Sequence, residues 1–154
     1  MTTGAEGRAP RVHLAMGCLL LGSFIYLLAR PTTLIMFDWV EALGLAQEVE
    51  AARSLLHDAV GQLPQWFVYS VPFALWVASY LLFNDAIWGR STGWGRRGWF
   101  WCIPAVAVAS EVLQGSGTLP GTFDPVDLLL VVVATASVIL FDKSTELRQG
   151  AASK

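Results

Sequence analysis

The polar segment from Ser110 to Asp127 holds the residue types that could do chemistry in this sequence. It reads S-E-V-L-Q-G-S-G-T-L-P-G-T-F-D-P-V-D and contains three acids and an amide: Glu111, Asp124, Asp127 and Gln114. Carboxylate and amide oxygens bind hard cations such as Ca²⁺, and they also accept hydrogen bonds from the cationic part of a lipid headgroup. The segment therefore predicts a ligand-binding site built from oxygen acceptors.

Local structure must bring these side chains together, and their spacing allows it. Glu111 and Gln114 are three residues apart, so they share one face of a helix. Asp124-Pro125 is typical of a helix start, with Asp124 as N-cap and Asp127 near the positive end of the helix dipole. The residues between are rich in turn formers, so we expect the two ends of the segment to fold back into one pocket.

Helix capping is the simpler explanation for Asp124 and, in part, for Asp127. Glu111 is different, because a carboxylate in an apolar helix usually faces a bundle interior, a partner or a water-filled cavity. A structural hydrogen bond to the following loop would also satisfy it. No His or Cys joins the acids, which argues against zinc and leaves the metal unknown. The sequence shows no phosphate-binding loop, haem motif or Ser-His-Asp grouping, so neither a cofactor nor a catalytic residue is predicted.

The composition indicates that a membrane positions this segment. Of 154 residues, 55% are hydrophobic and 14% charged, whereas soluble domains carry about 25% charged residues. The net charge of −2 provides no basic surface for nucleic acid. One integral membrane domain covering residues 1–154 is therefore the expected unit.

Four apolar segments approach the roughly 20 residues that a spanning helix needs. We predict an all-α protein in which all four cross the membrane, at residues 12–29, 66–83, 98–114 and 126–141. A further segment, residues 35–60, has apolar residues three and four apart with charged residues between them. This pattern predicts an amphipathic helix that lies at the membrane interface or caps the bundle.

The basic residues predict the orientation of these helices. Most of them flank one side of the membrane, at Arg8, Arg11, Arg90, Arg96, Arg97, Lys143, Arg148 and Lys154, and only Arg30 and Arg53 fall on the other. By the positive-inside rule both termini are cytoplasmic. The segment Ser110 to Asp127 and the amphipathic helix then face outward, in a multi-pass protein of the plasma or bacterial inner membrane.

The pattern S-E-V-L-Q, followed by L-P-G-T-F-D-P-V-D and an apolar helix, resembles the VanZ-like family of small bacterial membrane proteins. The resemblance covers roughly Ser110 to Leu140 and implies that the polar positions of the family are Glu111, Gln114, Gly121, Asp124 and Asp127. It also implies a cell-envelope protein of four-helix size and a link to glycopeptide antibiotic resistance. The chain departs from the family where an earlier helix starts, because L-P-Q-W-F lacks the Lys and His that other members carry there.

Three functions from different classes remain open at this point. The first is a VanZ-like envelope protein that binds a lipid-linked or cell-wall molecule at Glu111, Gln114, Asp124 and Asp127. The second is a structural or accessory subunit of a membrane complex, in which the acids only cap helices. The third is a small membrane enzyme with Glu111 as general base beside a cation. The expected partners are membrane lipids, a lipid-linked cell-wall intermediate and another membrane protein.

Overall fold

The computed structural model describes residues 8–89 and 93–152, with side chains described up to Ser144. Within these ranges the chain forms six α-helices, which confirms the predicted all-α class. They are α1 (Arg8–Ala29), α2 (Ile35–Ala42), α3 (Ala46–Gly61), α4 (Gln65–Trp88), α5 (Trp94–Gly115) and α6 (Pro125–Ala152). The predicted cytoplasmic location of three basic residues falls outside the described part of the chain: Arg90, Lys154 and the side chain of Arg148.

Three of these helices are long and apolar enough to cross a membrane, among the described residues. They are Arg8–Ala29, Gln65–Trp88 and Pro125–Ser144, and they contain the predicted spans 12–29, 66–83 and 126–141. The predicted third span, 98–114, lies within α5, which is helical over Trp94–Gly115 but is not among the three. Basic residues at its start and Glu111 and Gln114 near its end shorten its apolar stretch, so a fourth span stays a prediction.

The segment of residues 35–60, predicted to face outward and termed the outer segment, forms two helices where a single amphipathic helix was predicted. α2 ends at Ala42 and α3 begins at Ala46. Gly44 lies between them with φ +72°, and its N–H donates to the carbonyl of Glu41 at 2.9 Å. A glycine in this left-handed conformation ends a helix, because a Cβ there would be strained. The prediction of one helix was therefore wrong at a local turn.

Side-chain burial divides the apolar residues of the outer segment into two groups. Val49, Ala52, Leu56 and Val60 are half-buried, and α3 packs against α1. Trp39, Leu43 and Leu55 are exposed, with Leu55 at 83%. The segment therefore packs through α3 against α1 and leaves a second apolar surface uncovered.

α4 lies at the centre of the packing, in contact with α1, α5 and α6. Its Val77, Leu81 and Leu82 are nearly inaccessible, and they form the core with residues from the three surrounding helices: Ala15, Ala107, Val131 and Val138. Small residues at these contacts allow helix backbones to approach closely. In lipid the hydrophobic effect does not drive helices together, so such close packing stabilises their association. The bundle is thus organised around one central helix.

The closest approach of α1 to α4 occurs at Gly22. A Cβ at this position would lie 3.0 Å from the carbonyl oxygen of Pro72 and 3.0 Å from the Trp76 ring. The indole N–H of Trp76 donates to the Ser23 hydroxyl at 3.3 Å. Glycine therefore favours this close approach, because a Cβ at position 22 would be closer to α4 than ordinary van der Waals contact and its neighbours would have to shift.

This contact predicts different effects for two glycines of the same helix. We expect Gly22→Ala to lower the free energy of unfolding by about 1–3 kcal/mol, since a methyl group forced into a tight contact displaces its neighbours. Gly17→Ala is the matched control, because a Cβ there meets nothing within 4 Å. Unfolding of both variants in detergent, followed by circular dichroism, checks the difference. Equal stability would contradict the close α1–α4 approach.

Candidate functional site

The structure brings the two ends of the segment from Ser110 to Asp127 together. Glu111 lies in the last two turns of α5, and its Oε2 accepts a hydrogen bond from the backbone N–H of Asp124 at 3.1 Å. Glu111 is only 6% exposed, although it is a carboxylate. The chain therefore reverses between α5 and α6 as expected, and the hydrogen bond of Glu111 connects the two helices.

The turn between α5 and α6 follows from its small and polar residues. Ser116 Oγ accepts or donates a hydrogen bond with Thr118 Oγ1 at 2.8 Å. The N–H groups of Thr118 and Leu119 both donate to the carbonyl of Leu113, at 2.9 and 3.2 Å. These bonds satisfy the end of α5, which otherwise leaves carbonyls unpaired. The chain reverses within nine residues of the end of the helix at Gly115.

α6 begins as the sequence predicts, with Asp124 capping its first turn. Asp124 Oδ1 accepts a hydrogen bond from the N–H of Val126 at 2.8 Å, and Pro125 is the first helical residue. Proline is favoured there because the first N–H of a helix has no partner within the helix. One oxygen of Asp124 is thus used for capping.

Gln114 lies against Gly121 across the turn. A Cβ at Gly121 would come within 2.8 Å of the Gln114 Cδ, and the φ of Gly121 is +139°. Both facts require glycine, because a side chain would displace Gln114 and strain the backbone. The Gln114 amide is therefore held in the same turn as the hydrogen bond between Glu111 and Asp124.

Asp127 is the acid that capping does not explain. It lies in the first turn of α6, where the positive end of the helix dipole favours a carboxylate. Its Oδ1 is buried and has no hydrogen-bond partner within the described part of the chain. A buried acceptor without a partner is unfavourable, so this oxygen has a hydrogen-bonding capacity that the described chain does not use.

The acids do not form a metal site. Among the residues that the structure describes, no three His, Cys, Asp or Glu side chains lie close enough together to hold a metal ion. Glu111, Asp124 and Asp127 therefore lack the arrangement of a Ca²⁺ site, although their types would suit one. The arrangement instead provides oxygen acceptors beside a buried carboxylate, and a ligand role for the four predicted residues stays a prediction.

A network of four charged side chains at the opposite end of the bundle was not predicted. Asp85 of α4 pairs with Arg11 Nε of α1 at 2.5 Å and with Arg96 Nη2 of α5 at 2.9 Å. Asp142 of α6 pairs with Arg11 Nη2 at 2.7 Å, and its second oxygen lies 3.8 Å from Arg96 Nη2. Each of the four long helices contributes one member of this network.

Burial reduces the solvent screening of this charged network and also costs desolvation of its charges. The Asp85 side chain is 6% exposed and that of Arg11 is 15% exposed, and pairs in such surroundings are screened little by solvent. Charges near the ends of apolar helices usually pair with one another. The same rule makes the network predictable from the sequence, because each of the four long helices has at least one acid or arginine near the same end.

The two arginines predicted to face outward are used in packing. An Nη1 hydrogen of Arg53 is donated to the carbonyl of Leu27, and Nη1 also lies 3.0 Å from the carbonyl of Arg30. These bonds cap the carboxyl end of α1 from α3. Arg30 stacks over the Tyr69 ring at 4.2 Å. Neither cation is directed by these contacts to the pocket around Glu111.

Comparisons with known proteins add no relative to this geometry. Protein-family models, curated proteins and solved structures were each searched, and none matches the chain. The function is therefore argued from the residues and their contacts.

Proposed function

We propose that this protein is a multi-pass membrane protein of the bacterial cell envelope that binds a lipid-linked or cell-wall molecule at an outward pocket. The pocket is formed by Glu111, Gln114, Asp124 and Asp127. The observation that carries the proposal is the buried Oδ1 of Asp127, which has no partner in the described chain and lies on a helix start joined to the buried Glu111. A fold that retains such an oxygen has an acceptor for a ligand.

The proposal includes four membrane spans with both termini in the cytoplasm. It is supported by the ion pairs at one end of α5 and by the hydrogen bond of Glu111 at the other. Arg96 and Glu111 are 15 residues apart, which is about 22 Å along a helix. A hydrocarbon core of about 30 Å is crossed by such a helix when its terminal polar groups extend to the interface.

The chemistry of the pocket selects the kind of ligand. Carboxylate oxygens only accept hydrogen bonds, and the segment from Ser110 to Asp127 contains no Lys, Arg or His. A ligand group that donates, such as an ammonium, an amide or a sugar hydroxyl, therefore complements it. An exposed phosphate would be repelled by Glu111 and Asp127 unless it lay away from them.

The resemblance of the segment to the VanZ-like family supports the same proposal. Glu111, Gln114, Gly121, Asp124 and Asp127 are the positions that the resemblance marks as polar or turn residues, and their contacts make one local structure. We accordingly extend the proposal to a role in glycopeptide resistance, in which a bound cell-wall molecule changes access of the antibiotic to its target.

A second candidate function is an accessory subunit without a ligand. It is favoured by the bonds from Glu111 to Asp124 N–H and from Asp124 to Val126 N–H, because both satisfy backbone groups at helix ends. In that case the acids act on stability alone. Asp127 is the residue that separates the two functions.

The topology proposal predicts the labelling of single cysteines. In a Cys18→Ala, Cys102→Ala background, Glu48→Cys and Ser116→Cys should react with a membrane-impermeant maleimide in intact cells, and Ser144→Cys only after permeabilisation. Glu48 is outside whether or not α5 crosses, so it is the control. Labelling of Ser144→Cys in intact cells, together with protection of Ser116→Cys, would show that α5 does not cross.

The binding proposal predicts that a ligand is retained on purification. Native mass spectrometry of protein extracted in mild detergent from its host membrane should show a lipid-linked adduct on the wild type. Glu111→Gln and Asp127→Asn should each lower the occupancy of this adduct about tenfold, because each replaces a charged carboxylate by a neutral amide of similar shape. Glu48→Gln, a change of an exposed acid on α3, is the matched control. Equally folded proteins without an adduct in any form would favour the accessory subunit.

A further inference from the structure

A lateral groove of about 370 Å³ lies between α1, α4 and α6. It is lined by small side chains, including Cys18, Ala74, Ala78 and Ala134, and by larger aliphatic and aromatic residues. All of these residues belong to helices that are apolar and long enough to cross a membrane. The groove is therefore open toward lipid chains, and its volume is within the range of ligand pockets, about 300–1,000 Å³.

The groove extends along a substantial part of α6. Its lining on this helix runs from Leu130 to Phe141, which is about 16 Å along the helix axis and half of a hydrocarbon core of about 30 Å. A groove of this length and volume accommodates a single extended hydrocarbon chain.

On α6 the lining of the groove begins at Leu130, about one helical turn from Asp127. Asp127, Leu130 and Ala134 occupy positions i, i+3 and i+7 of α6 and therefore share one face. Leu130 and Ala134 line the groove, and Asp127 lies one turn further out with its buried, unpartnered Oδ1. A polar acceptor therefore lies on the helix face that lines the groove, one turn beyond it, which is the polarity order of a lipid molecule.

We propose that the ligand of the outer pocket is a membrane lipid with an amine in its headgroup, whose acyl chain occupies this groove. The inference rests on the proposed function, because the headgroup site is the pocket around Glu111 and Asp127. An ammonium donates several hydrogen bonds and carries the charge that complements two carboxylates. The acyl chain fills a space that would otherwise leave its lining without packing partners.

The test measures lipid binding by the delipidated full-length protein with native mass spectrometry. The probes are dioleoyl phosphatidylethanolamine and dioleoyl phosphatidylcholine, which share both chains and differ in that only the first has N–H donors. We expect the wild type to bind the ethanolamine lipid about tenfold more tightly. Ala134→Phe, which fills the groove, should weaken binding of both lipids about tenfold or more.

Matched variants keep the test falsifiable. Val132→Phe adds the same ring to an exposed position of α6 outside the groove and should bind like the wild type. Ser137→Phe is a second groove-filling variant at an exposed position, for use if Ala134→Phe does not fold. Asp127→Asn should bind the ethanolamine lipid about tenfold more weakly, at the level of the choline lipid, and leave binding of the choline lipid unchanged.

The outcomes separate this inference from the proposed function. Unchanged lipid binding by both groove-filling variants would overturn the inference, and the pocket would stand if Asp127→Asn still lost headgroup preference. Loss of binding on groove filling, with no preference between the two lipids and no effect of Glu111→Gln or Asp127→Asn, would overturn both. A change from dimer to monomer in Ala134→Phe, without a change in lipid binding, would identify the groove as a contact between copies and overturn the inference.

Discussion

The ion pairs of Asp85 are the interaction on which the arrangement of the long helices depends. A buried carboxylate in an apolar helix is stable only when cations compensate it, and Asp85 has them on two sides, from Arg11 of α1 and Arg96 of α5. Asp142 completes the charge balance from α6. Because each long helix contributes one charge, the ion pairs hold Arg11, Asp85, Arg96 and Asp142 at a common level of the bundle.

That common level also determines the geometry of the opposite end. Arg96 and Glu111 are 15 residues apart on α5, and Asp127 and Asp142 are 15 residues apart on α6. Both distances are about 22 Å along a helix. When Arg96 and Asp142 approach at one end, Glu111 and Asp127 are therefore brought level at the other, where Glu111 reaches the backbone of Asp124. The charged network and the candidate pocket are two consequences of one helix register.

The sequence predicted those features that depend on neighbouring residues. The helix start at Asp124-Pro125, the turn before it and the apolar helices follow from capping, turn chemistry and hydropathy, all of which act over a few residues. The break at Gly44 was missed because the apolar periodicity continues through it, although its glycine was visible. The pairing of Arg11 with Asp85 was missed because it joins helices distant in sequence, which periodicity within one helix does not address.

The two ends of the bundle differ in charge balance, and this difference underlies the functional account. At one end two arginines face two aspartates in a network that satisfies itself. At the other, Arg30 and Arg53 are used in stacking and in capping α1, while the segment around Glu111 contains acceptors without cations. An unbalanced set of acceptors next to an apolar groove favours an amphipathic ligand with a donor group.

The most direct measurement of the central claim is a double-mutant cycle on Asp85 and Arg96, because this pair joins α5 to the central helix. The free energy of unfolding in detergent is measured for the wild type, Asp85→Asn, Arg96→Gln and the double variant. The account predicts a coupling energy of about 1–3 kcal/mol, as for residues in one buried ion-pair network. A coupling energy near zero would contradict it, since the register that brings Glu111 to the start of α6 would then have another origin.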